Sequence, residues 1–539
     1  MAKPKHDPAK RPRRLHLVLG DQLDHRSATL RDLDPAQDAV WMAETHAEAT
    51  HVWCHKLRLV VFFSAMRHFR DELRGKGVTV HYHELTTRKA DDRGADFTEV
   101  LRKDVRKLKP ERLVAMQPGD FRVQAMLEQS AEELGVGLEV REDDHFFCSL
   151  DEFAEWAGGK KELVQEMFYR RMRKRDAVLL TKDGKPVGGE WNYDADNRKT
   201  FGKVGPPTMR KRPHHFRPDD LTQEVIDMVE VRFVDHPGST EQFDLPVTRK
   251  EALKYLRDFI EHRLCDFGPY EDAMWTDAPF LYHSRLSQAL NMHLLNPREC
   301  VQKAIAAYEA GDTPLNSVEG FVRQLIGWRE FIRGVYYFKG EAYLNSNALD
   351  NDEGADVPSF FWDGDTEMAC VSDVMRSVIK HAWAHHIPRL MVMGLFAMLL
   401  GVHPRKFHDW HMAMYVDAID WVSAPNTIGM ATWGDGGVVG TKPYAASGNY
   451  IDKMSNYCKS CRYHPKRASG DDACPFTTLY WDFLDRHRDT FKGNMRMAFQ
   501  VKNIDRKRQT DEIDAIRAKA QDIKRQMLNE ESRKAGSTG

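Results

Sequence analysis

Four of the eight cysteines in the chain have a spacing typical of metal or iron–sulfur ligands. Cys458 and Cys461 form a C-x-x-C pair, Cys474 precedes a proline, and Cys370 lies far upstream. The thiolates of a C-x-x-C turn can reach one tetrahedral metal ion or one corner of a cluster. The Cys-Pro ending, with no histidine at zinc-finger spacing, favours a [4Fe-4S] cluster over zinc. A redox pair or ordinary core cysteines are the alternative.

Two adjacent histidines, His385 and His386, are a second group of residues that can do chemistry. Successive positions of a helix point about 100° apart, so the two imidazoles can face two different partners. An imidazole titrates near neutral pH and can therefore donate or accept a proton. A pair of histidines packed in the core is the alternative interpretation.

The chain has 539 residues, a net charge of −2 and 42% hydrophobic residues, which is enough for two or three domains. No apolar run approaches the roughly 18 residues of a membrane span, and the basic start lacks the apolar segment of a secretory signal. We therefore expect a cytoplasmic protein. Basic runs at 170–175 and 210–217 are candidates for phosphate contacts, with a solvated helix face or loop as the alternative.

Short apolar runs alternate with helical periodicity in the first part of the chain. The predicted strands cover 15–20, 39–42, 78–82 and 112–116, and the predicted helices include 57–76 and 98–107. This alternation predicts an α/β domain with a doubly wound parallel sheet over residues 14–145. Ligands of such sheets bind at the carboxyl ends of strands, where Asp21, Gln22 and Glu44 are expected to line a pocket. Solvated turn residues are the alternative.

The remaining chain divides by composition and periodicity. Glycine, proline, lysine and arginine dominate residues 146–245, which we interpret as an interdomain connector. In residues 246–500, apolar side chains recur at spacings of three and four, which predicts an all-α domain. The final segment, 501–539, mixes both charge signs with few apolar residues and is interpreted as a charged tail, either a solvated helix or a frayed end.

The order of these parts, together with several motifs, resembles the photolyase/cryptochrome family. The motifs are Tyr282-His-Ser-Arg-Leu-Ser287, Glu319-Gly-Phe-Val-Arg-Gln-Leu-Ile-Gly-Trp-Arg-Glu330, Trp383-Ala-His-His-Ile-Pro-Arg-Leu390, Asn426-Thr-Ile-Gly-Met430 and Gly440-Thr-Lys-Pro-Tyr-Ala-Ala-Ser-Gly-Asn-Tyr450. With the four cysteines, they are similar to the iron–sulfur bacterial branch of cryptochromes and photolyases. The resemblance extends from about residue 14 to residue 500.

The resemblance implies that the helical domain binds FAD. Serine hydroxyls near a helix start would contact its pyrophosphate, with ordinary helix capping as the alternative. In the family, an arginine pairs with an aspartate beside the flavin ring, and Asp417 is our candidate for that acid. The candidate FAD-binding residues are Ser284, Ser287, Gln324, Arg329, Arg389, Asp417 and Asn426.

For (6-4) photolyases, the resemblance implies a histidine at the substrate mouth that donates a proton to the photoproduct. We assign this role to His386, with His385 supporting it from the flavin side. Relatives that repair cyclobutane dimers carry a glutamate where an ungapped alignment places Leu325, although a one-residue gap would place Gln324 there. This favours the (6-4) lesion. The residues that match the lesion pocket are Asp194, Arg198, Asp272, Tyr444 and Tyr450.

Trp362 and Trp410 match tryptophans that carry electrons to oxidised flavin in this branch, and core packing is the alternative role. Two positions depart from the pattern. His411 stands where a relative has tyrosine, and Ser423 stands where it has a glutamate close to flavin. These departures bear on the exit of the electron path and on the flavin environment.

The branch carries 6,7-dimethyl-8-ribityllumazine as a light-harvesting antenna in the sheet domain. Asp21, Gln22, Glu44 and Glu48 correspond to its binding residues. The implied partner is UV-damaged DNA with a flipped lesion, and we expect a monomer without membrane association. The implied activity is light-driven repair of (6-4) photoproducts. The alternatives are a cryptochrome-type blue-light receptor with the same cofactors and a zinc-stabilised nucleic-acid-binding protein without flavin.

Overall fold

A parallel sheet forms the core of the amino-terminal domain. The computed structural model describes residues 11–207 and 212–528, and within them the sheet has five strands in the order β3-β2-β1-β4-β5. The strands are β1 (Arg14–Leu17), β2 (Ala39–Ala43), β3 (Val80–His83), β4 (Arg112–Met116) and β5 (Gly137–Arg141). All paired strands run parallel, and the order reverses between β1 and β4. In such sheets, ligands bind at the carboxyl ends of the strands at this reversal.

Helices cover both faces of the sheet, as the doubly wound prediction requires. They are α1 (His46–Thr50), α2 (Lys56–Gly75), α3 (Phe97–Leu108) and α4 (Phe121–Leu134), with a 3₁₀ turn at Lys89–Asp91. Val40 and Met42 of β2 pack in the core that contains α2. Trp41 packs in the opposite core with α3 and α4. Because successive strand residues point to opposite faces, one short apolar strand contributes to two cores, and the α/β prediction is confirmed.

The predicted connector contains regular structure that the sequence pattern did not reveal. In the described part of residues 146–245, the helices are α5 (Leu150–Ala157), α6 (Gln165–Arg175) and α7 (Asp220–Arg232). α5 starts with a capping box between Ser149 and Glu152. In α6, Phe168, Tyr169 and Met172 are buried beneath the basic residues that dominate its composition. The basic residues therefore conceal a short apolar stripe.

Helices make up the second half of the structure, which confirms the all-α prediction. They are α8 (Arg249–His262), α9 (Leu264–Tyr270), α10 (Ser287–Asn291), α11 (Pro297–Glu309), α12 (Leu315–Val322), α13 (Glu330–Lys339), α14 (Phe360–Asp363), α15 (Ala369–His381), α16 (His386–Pro388), α17 (Leu395–Leu400), α18 (Pro404–Met414), α19 (Asp420–Ala424), α20 (Gly448–Met454), α21 (Pro475–Arg486), α22 (Arg488–Phe491), α23 (Ala498–Lys507) and α24 (Glu512–Leu528). Short 3₁₀ turns lie at Glu341–Asn345, Tyr457–Lys459 and Met495–Met497.

Three segments of the described chain are π-helical, namely Arg323–Arg329, Arg389–Gly394 and Pro425–Ala431. They contain four of the candidate FAD-binding residues: Gln324, Arg329, Arg389 and Asn426. π-helical turns are rare and frequently occur at functional sites. Their wider turn changes the direction of following side chains, which a regular helical periodicity does not predict.

The carboxy-terminal helix α24 packs against the helical domain. Ile513, Ile516 and Ile523 are buried, and Arg517 forms an ion pair of 2.8 Å with Asp485 of α21. Residues 512–528 therefore form a helix, one of the two alternatives given for this segment, and its isoleucines recur on one face that is buried against the domain. Among the described residues, no helix combines the length and apolar character needed to cross a membrane.

Candidate functional site

A polar cavity lies inside the helical domain, between α10, α18 and the π-helical segments Arg389–Gly394 and Pro425–Ala431. The polar side chains that line it include Ser287, His386, Arg389, Asp417, Ser423 and Asn426. Five of these six residues come from the sequence prediction for FAD binding and catalysis, and Ser423 is one of the two departures noted there. The fold therefore brings together residues that are up to 139 positions apart in the chain.

An ion pair between Arg389 and Asp417 forms one wall of the cavity. The two guanidinium donors lie 2.9 Å and 3.0 Å from the two Asp417 oxygens. Ser287 Oγ donates a 2.5 Å hydrogen bond to Asp417, and Asn291 donates to its backbone carbonyl at 2.8 Å. Burial alone would raise the pKa of Asp417, but Arg389 and the hydrogen bonds hold it below its ordinary value. Arg389 and Asp417 therefore form an ion pair that is held in one orientation at the cavity wall.

Two polar atoms at this cavity have no hydrogen-bond partner within the described part of the chain. Ser423 Oγ and His411 Nδ1 are buried and have no hydrogen-bond partner among residues 11–207 and 212–528. Buried polar atoms in native structures almost always have a partner. Both residues line the cavity. The cavity therefore offers unsatisfied hydrogen-bonding atoms to a polar ligand, beside the Arg389–Asp417 pair.

The two adjacent histidines face different surroundings. His386 lines the cavity and is exposed to it, whereas His385 is buried and stacks on His283 with ring centroids 4.0 Å apart. Burial and the Arg389 charge lower the pKa of His386 to about 4. Burial and its histidine neighbours hold the pKa of His385 well below its ordinary value. The structure thus places His386 at the cavity, and His385 packs on His283 instead of lining the flavin side.

The five predicted lesion-pocket residues form one electrostatic group. Asp194 and Arg198 lie close enough to affect the pKa of Asp272, which burial raises first. Burial first, and then nearby charges that include Asp272, raise the pKa of both Tyr444 and Tyr450. These residues come from the connector, the loop before α10 and the loop around α20. Asp194, Arg198, Tyr444 and Tyr450 thus lie within electrostatic range of Asp272, and their contacts with a lesion stay a prediction.

Sequence reasoning missed the residues that join this group to the histidines. Arg323 pairs with Asp194, and its guanidinium lies 3.8 Å from Glu271. Burial first, then neighbouring acids, raise the pKa of Glu271 to about 8 against the influence of Arg323. His283 hydrogen-bonds the Glu271 carbonyl and stacks on His385. His283 belongs to the Tyr282–Ser287 motif, and Glu271 directly precedes Asp272 in the chain. Their positions beside predicted site residues could have identified both as candidates.

Three predicted FAD-binding residues do not line the cavity. Arg329 is buried between Phe146 and Trp421, at 4.1 Å and 5.0 Å from their ring centroids. Gln324 lies on the same π-helical segment and is absent from the cavity lining. Ser284 Oγ accepts a 3.3 Å hydrogen bond from the Leu286 amide, which is a local capping-type role. The structure therefore does not bring these three residues to the cavity, and their contacts with FAD stay a prediction.

Trp410 lies directly behind the cavity wall. It is 1% exposed, and Phe407, which lines the cavity, stacks on it with ring centroids 5.5 Å apart. Its indole nitrogen donates a 2.8 Å hydrogen bond to the carbonyl of Phe361, the residue before Trp362. The structure thus places both predicted electron-transfer tryptophans in one continuous contact path.

The four predicted ligand cysteines line one second cavity. Cys370, Cys458, Cys461 and Cys474 share it with apolar side chains that include Met368, Ile451 and Phe476. A Cβ atom at Gly448 would lie 2.9 Å from Cys474 Sγ, so this approach requires glycine. Burial, then the other three thiols, raise the pKa of Cys370. Within the described ranges, no group of three His, Cys, Asp or Glu residues has the placement of a single-ion site.

Comparison with known proteins agrees with the order of domains and motifs. A family model described as deoxyribodipyrimidine photo-lyase-related protein matches residues 16–245. A (6-4) photolyase of Agrobacterium fabrum is 46% identical over 484 residues, which cover 90% of this chain and 94% of that protein. The chain belongs to the photolyase/cryptochrome family.

The protein also shares its fold with solved structures to which its sequence identity is low. A class III photolyase from Agrobacterium tumefaciens has a TM-score of 0.53 at 15% identity, over 96% of this chain and 93% of that one. A cryptochrome from Synechocystis has a TM-score of 0.53 at 14% identity, over 84% of this chain and 90% of that one. At these identities the likeness concerns the fold.

The carboxyl ends of β1 and β4 meet, as expected for neighbouring parallel strands. Gln22 donates a 3.0 Å hydrogen bond to the Gln117 carbonyl, and its own side-chain oxygen finds no partner in the described ranges. A Cβ atom at Gly119 would lie 3.0 Å from Asp21 Oδ2 and 2.8 Å from Trp421. Burial raises the pKa of Asp21 to about 7. Asp21 and Gln22 thus lie at the sheet edge, where the helical domain packs on it.

Glu44 and Glu48, the other two predicted antenna residues, form their contacts within the sheet domain. Glu44 accepts hydrogen bonds from Arg67 at 2.8 Å, from the Tyr82 hydroxyl at 2.5 Å and from the Leu85 amide at 2.9 Å. Its side chain is buried and bonded within the domain, and a contact of Glu44 with an antenna stays a prediction. Glu48 pairs with Arg122 through two contacts of 2.7 Å and 2.8 Å. The carboxylates at this edge therefore stabilise the domain internally.

The predicted phosphate-binding helix α6 uses most of its arginines internally. Arg173 is buried and donates to the carbonyls of Val178, Leu179 and Trp191. Arg175 donates to Glu152 and to the Phe147 carbonyl, and Arg170 donates to Glu166. The buried Arg173 is therefore unavailable to phosphate, whereas phosphate contacts of Arg170 and Arg175 stay a prediction.

The second basic run is only partly described. Residues 210 and 211 lie outside the described residues. Arg212 and Arg217 are exposed and remain candidates for contacts with phosphate.

Proposed function

We propose that the protein is a light-driven (6-4) DNA photolyase, a lyase that repairs (6-4) photoproducts. The observation that carries the proposal is the position of His386, which opens into the cavity formed by Arg389 and Asp417. An acid beside a flavin cavity is the arrangement that this reaction needs. The 46% identity to a protein named (6-4) photolyase supports the same activity.

FAD is the cofactor that fits the cavity. Arg389 and Asp417 would hold its ring, and Ser423, Asn426 and Ser287 would add polar contacts. The unpartnered Ser423 hydroxyl is the observation that supports a polar occupant. Bound in reduced form and excited by light, FAD would supply the electron that starts repair. The protein residues would orient it and exclude water.

His386 would deliver the proton that the photoproduct requires. With a pKa of about 4, its imidazole is neutral at pH 7 in this structure. DNA brings negative phosphates, and negative charge raises the pKa of a nearby histidine. We therefore expect the protonated form to gain population when damaged DNA binds. An acid must be protonated to act, so repair should decline as pH rises through the pKa of His386 in the complex.

The group around Asp272 would receive the flipped lesion. Tyr444 is 37% exposed and Tyr450 adjoins the same acid, so both aromatic rings are available beside polar groups. Flipped bases are held by stacking on aromatic side chains and by hydrogen bonds to their edges. Arg198 and Asp194 supply donors and acceptors of opposite charge. UV-damaged DNA is thus the partner, and we expect it to meet a monomeric protein.

Two further groups complete the proposal. Cys370, Cys458, Cys461 and Cys474 would hold a [4Fe-4S] cluster, because all four thiols line one cavity with apolar walls. A 6,7-dimethyl-8-ribityllumazine antenna would contact Asp21 and Gln22, and the unpartnered Gln22 oxygen supports a polar ligand there. Fluorescence of pigment released from purified protein would identify that antenna.

The decisive experiment is repair of an oligonucleotide that carries one (6-4) lesion, under blue light. We expect His386→Ala to retain FAD and DNA binding but to lose about 10²- to 10⁴-fold in repair rate, the usual contribution of a general acid. His68→Ala on α2 is the matched control and should repair normally. If wild-type protein binds FAD but leaves the lesion unchanged, the photoreceptor alternative gains support. Normal repair by the His386 variant would move the acid role elsewhere.

A further inference from the structure

An exposed indole packs on one of the predicted electron-transfer tryptophans. Trp53 follows α1 in the sheet domain and is 47% exposed. Its ring centroid lies 5.1 Å from that of Trp362 in α14, with the ring planes tilted by 47°. Large aromatic side chains are usually mostly buried. Here, half of an indole faces solvent while its other side contacts Trp362.

The contacts continue inward without a gap. Trp362 follows Phe361, whose carbonyl accepts the 2.8 Å hydrogen bond from the Trp410 indole. Phe361 and Trp410 also contact each other edge to face, with ring centroids 5.0 Å apart. Trp410 stacks on Phe407, which lines the polar cavity. Two buried or half-buried indoles and one exposed indole thus connect the cavity to the surface.

The neighbouring route through His411 is less suited to electron transfer. His411 is buried, and its pKa lies well below the ordinary value, so its imidazole is neutral. An imidazole is harder to oxidise than an indole. His411 contacts Tyr415, whose ring packs under Arg389, so this branch stays inside the protein. The contacts through Trp362 lead to solvent.

We propose that Trp53 is the outermost electron donor of this protein and the point at which a reductant in solution delivers electrons. The inference rests on the proposed binding of FAD in the cavity. When oxidised FAD is excited by light, one electron moves from Trp410 to it, one from Trp362 to Trp410 and one from Trp53 to Trp362. A thiolate in solution then gives one electron to the Trp53 radical cation. The indole becomes neutral and the thiolate becomes a thiyl radical.

Mass spectrometry of oxidised tryptophan tests this path directly. FAD-loaded protein is illuminated in air without added thiol, digested, and compared with a sample kept in the dark. We expect light-dependent oxidation in the peptide that contains Trp53, and its loss when a thiol is present. Oxidation confined to Trp362 or Trp410, with Trp53 unmodified, would overturn the proposal.

Variants separate this inference from the proposed function. Trp53→Phe should lose most of its thiol-dependent photoreduction, Trp53→Tyr should retain part of it, and Trp481→Phe should match wild type. Trp481 is the control because its indole packs on Lys507 and Tyr480 and not on a residue of this path. Trp53→Phe should still bind FAD and, after chemical reduction in the dark, repair DNA normally. Unchanged photoreduction in Trp53→Phe would contradict the terminal role, whereas failed repair by chemically reduced wild type would contradict the photolyase proposal.

Discussion

The sheet edge and the helical cavity contain similar polar residues but use them differently. At the sheet edge, Glu44 and Glu48 are bonded to Arg67 and Arg122 of the same domain. In the helical cavity, Ser423 Oγ remains unpartnered within the described ranges. The sheet edge therefore satisfies most of its charges internally, while the cavity keeps polar atoms available for a ligand.

This difference shows which polar residues are candidates for cofactor binding. A carboxylate that already accepts two or three hydrogen bonds has little capacity left, whereas a buried hydroxyl without a partner is destabilising until a ligand arrives. The Arg389–Asp417 pair lies between these cases, because each partner satisfies the other and still faces the cavity. Removing one partner should thus harm the cavity far more than the sheet edge.

The largest expected effect is that of Asp417→Asn. It leaves the mostly buried Arg389 guanidinium without its counter-charge, and breaking a buried pair in this way costs about 3–5 kcal/mol. We expect a lower free energy of unfolding and loss of most bound FAD, measured by denaturant unfolding and by flavin absorbance after gel filtration. Glu48→Gln is the matched control at the sheet edge. Its pair with Arg122 is partly exposed, so a loss of about 0–1 kcal/mol is expected.

Equal losses in the two variants would break the comparison, because they would show that internal and cavity-facing ion pairs contribute alike. Retained FAD in Asp417→Asn would show that the Arg389–Asp417 pair does not hold the flavin.

Cysteines extend the comparison to the second cavity. Cys458→Ala removes one of the four thiols that share that cavity, whereas Cys300→Ala removes a buried thiol outside it. We expect Cys458→Ala to lower iron content, iron–sulfur absorbance and soluble yield, since metal–thiolate bonds contribute to folding in such sites. Cys300→Ala should retain its iron and lose stability only as a small core truncation does. A soluble Cys458 variant with full iron content would contradict the assignment.

Much of the fold and part of the site could be predicted from the sequence. Apolar runs separated by helical periodicity identify β1 to β4, and the meeting of Asp21 and Gln22 with the end of β4 follows from parallel strand geometry. Asp417 is also predicted as the acid that pairs with an arginine, with Arg329 and Arg389 as the candidates, and in the structure its partner is Arg389.

The errors arise where side-chain direction depends on irregular backbone or on tertiary partners. Arg329 and Gln324 lie on the π-helical segment whose residues do not line the cavity, whereas Arg389 and Asn426 lie on the two described segments that do. Arg173 appears in sequence as one of a basic run, yet three backbone carbonyls hold it in the interior. Trp53 carries no motif, and only the packing of the two domains brings it to Trp362.

The smallest expected effect concerns the pH dependence of stability. It compares Glu271, near the predicted lesion pocket, with Glu48 at the sheet edge. The folded pKa of Glu271 is raised from its ordinary 4.5 to about 8, so the folded state binds more protons than the unfolded state between these values. Its contribution to stability is therefore present below about pH 4.5 and declines as pH rises towards 8. We expect Glu271→Gln to remove this decline between about pH 5 and pH 8.

Glu48 has the opposite sign. Although burial alone would raise its pKa, pairing with Arg122 holds that pKa below the ordinary value. Its contribution is thus present at neutral pH and declines as pH falls through the folded pKa, so Glu48→Gln should cost more at pH 7 than in acid. Thermal unfolding of both variants from about pH 4 to pH 8 measures the two slopes. Slopes of the same sign would show that the acids near the lesion pocket are satisfied internally, as those at the sheet edge are.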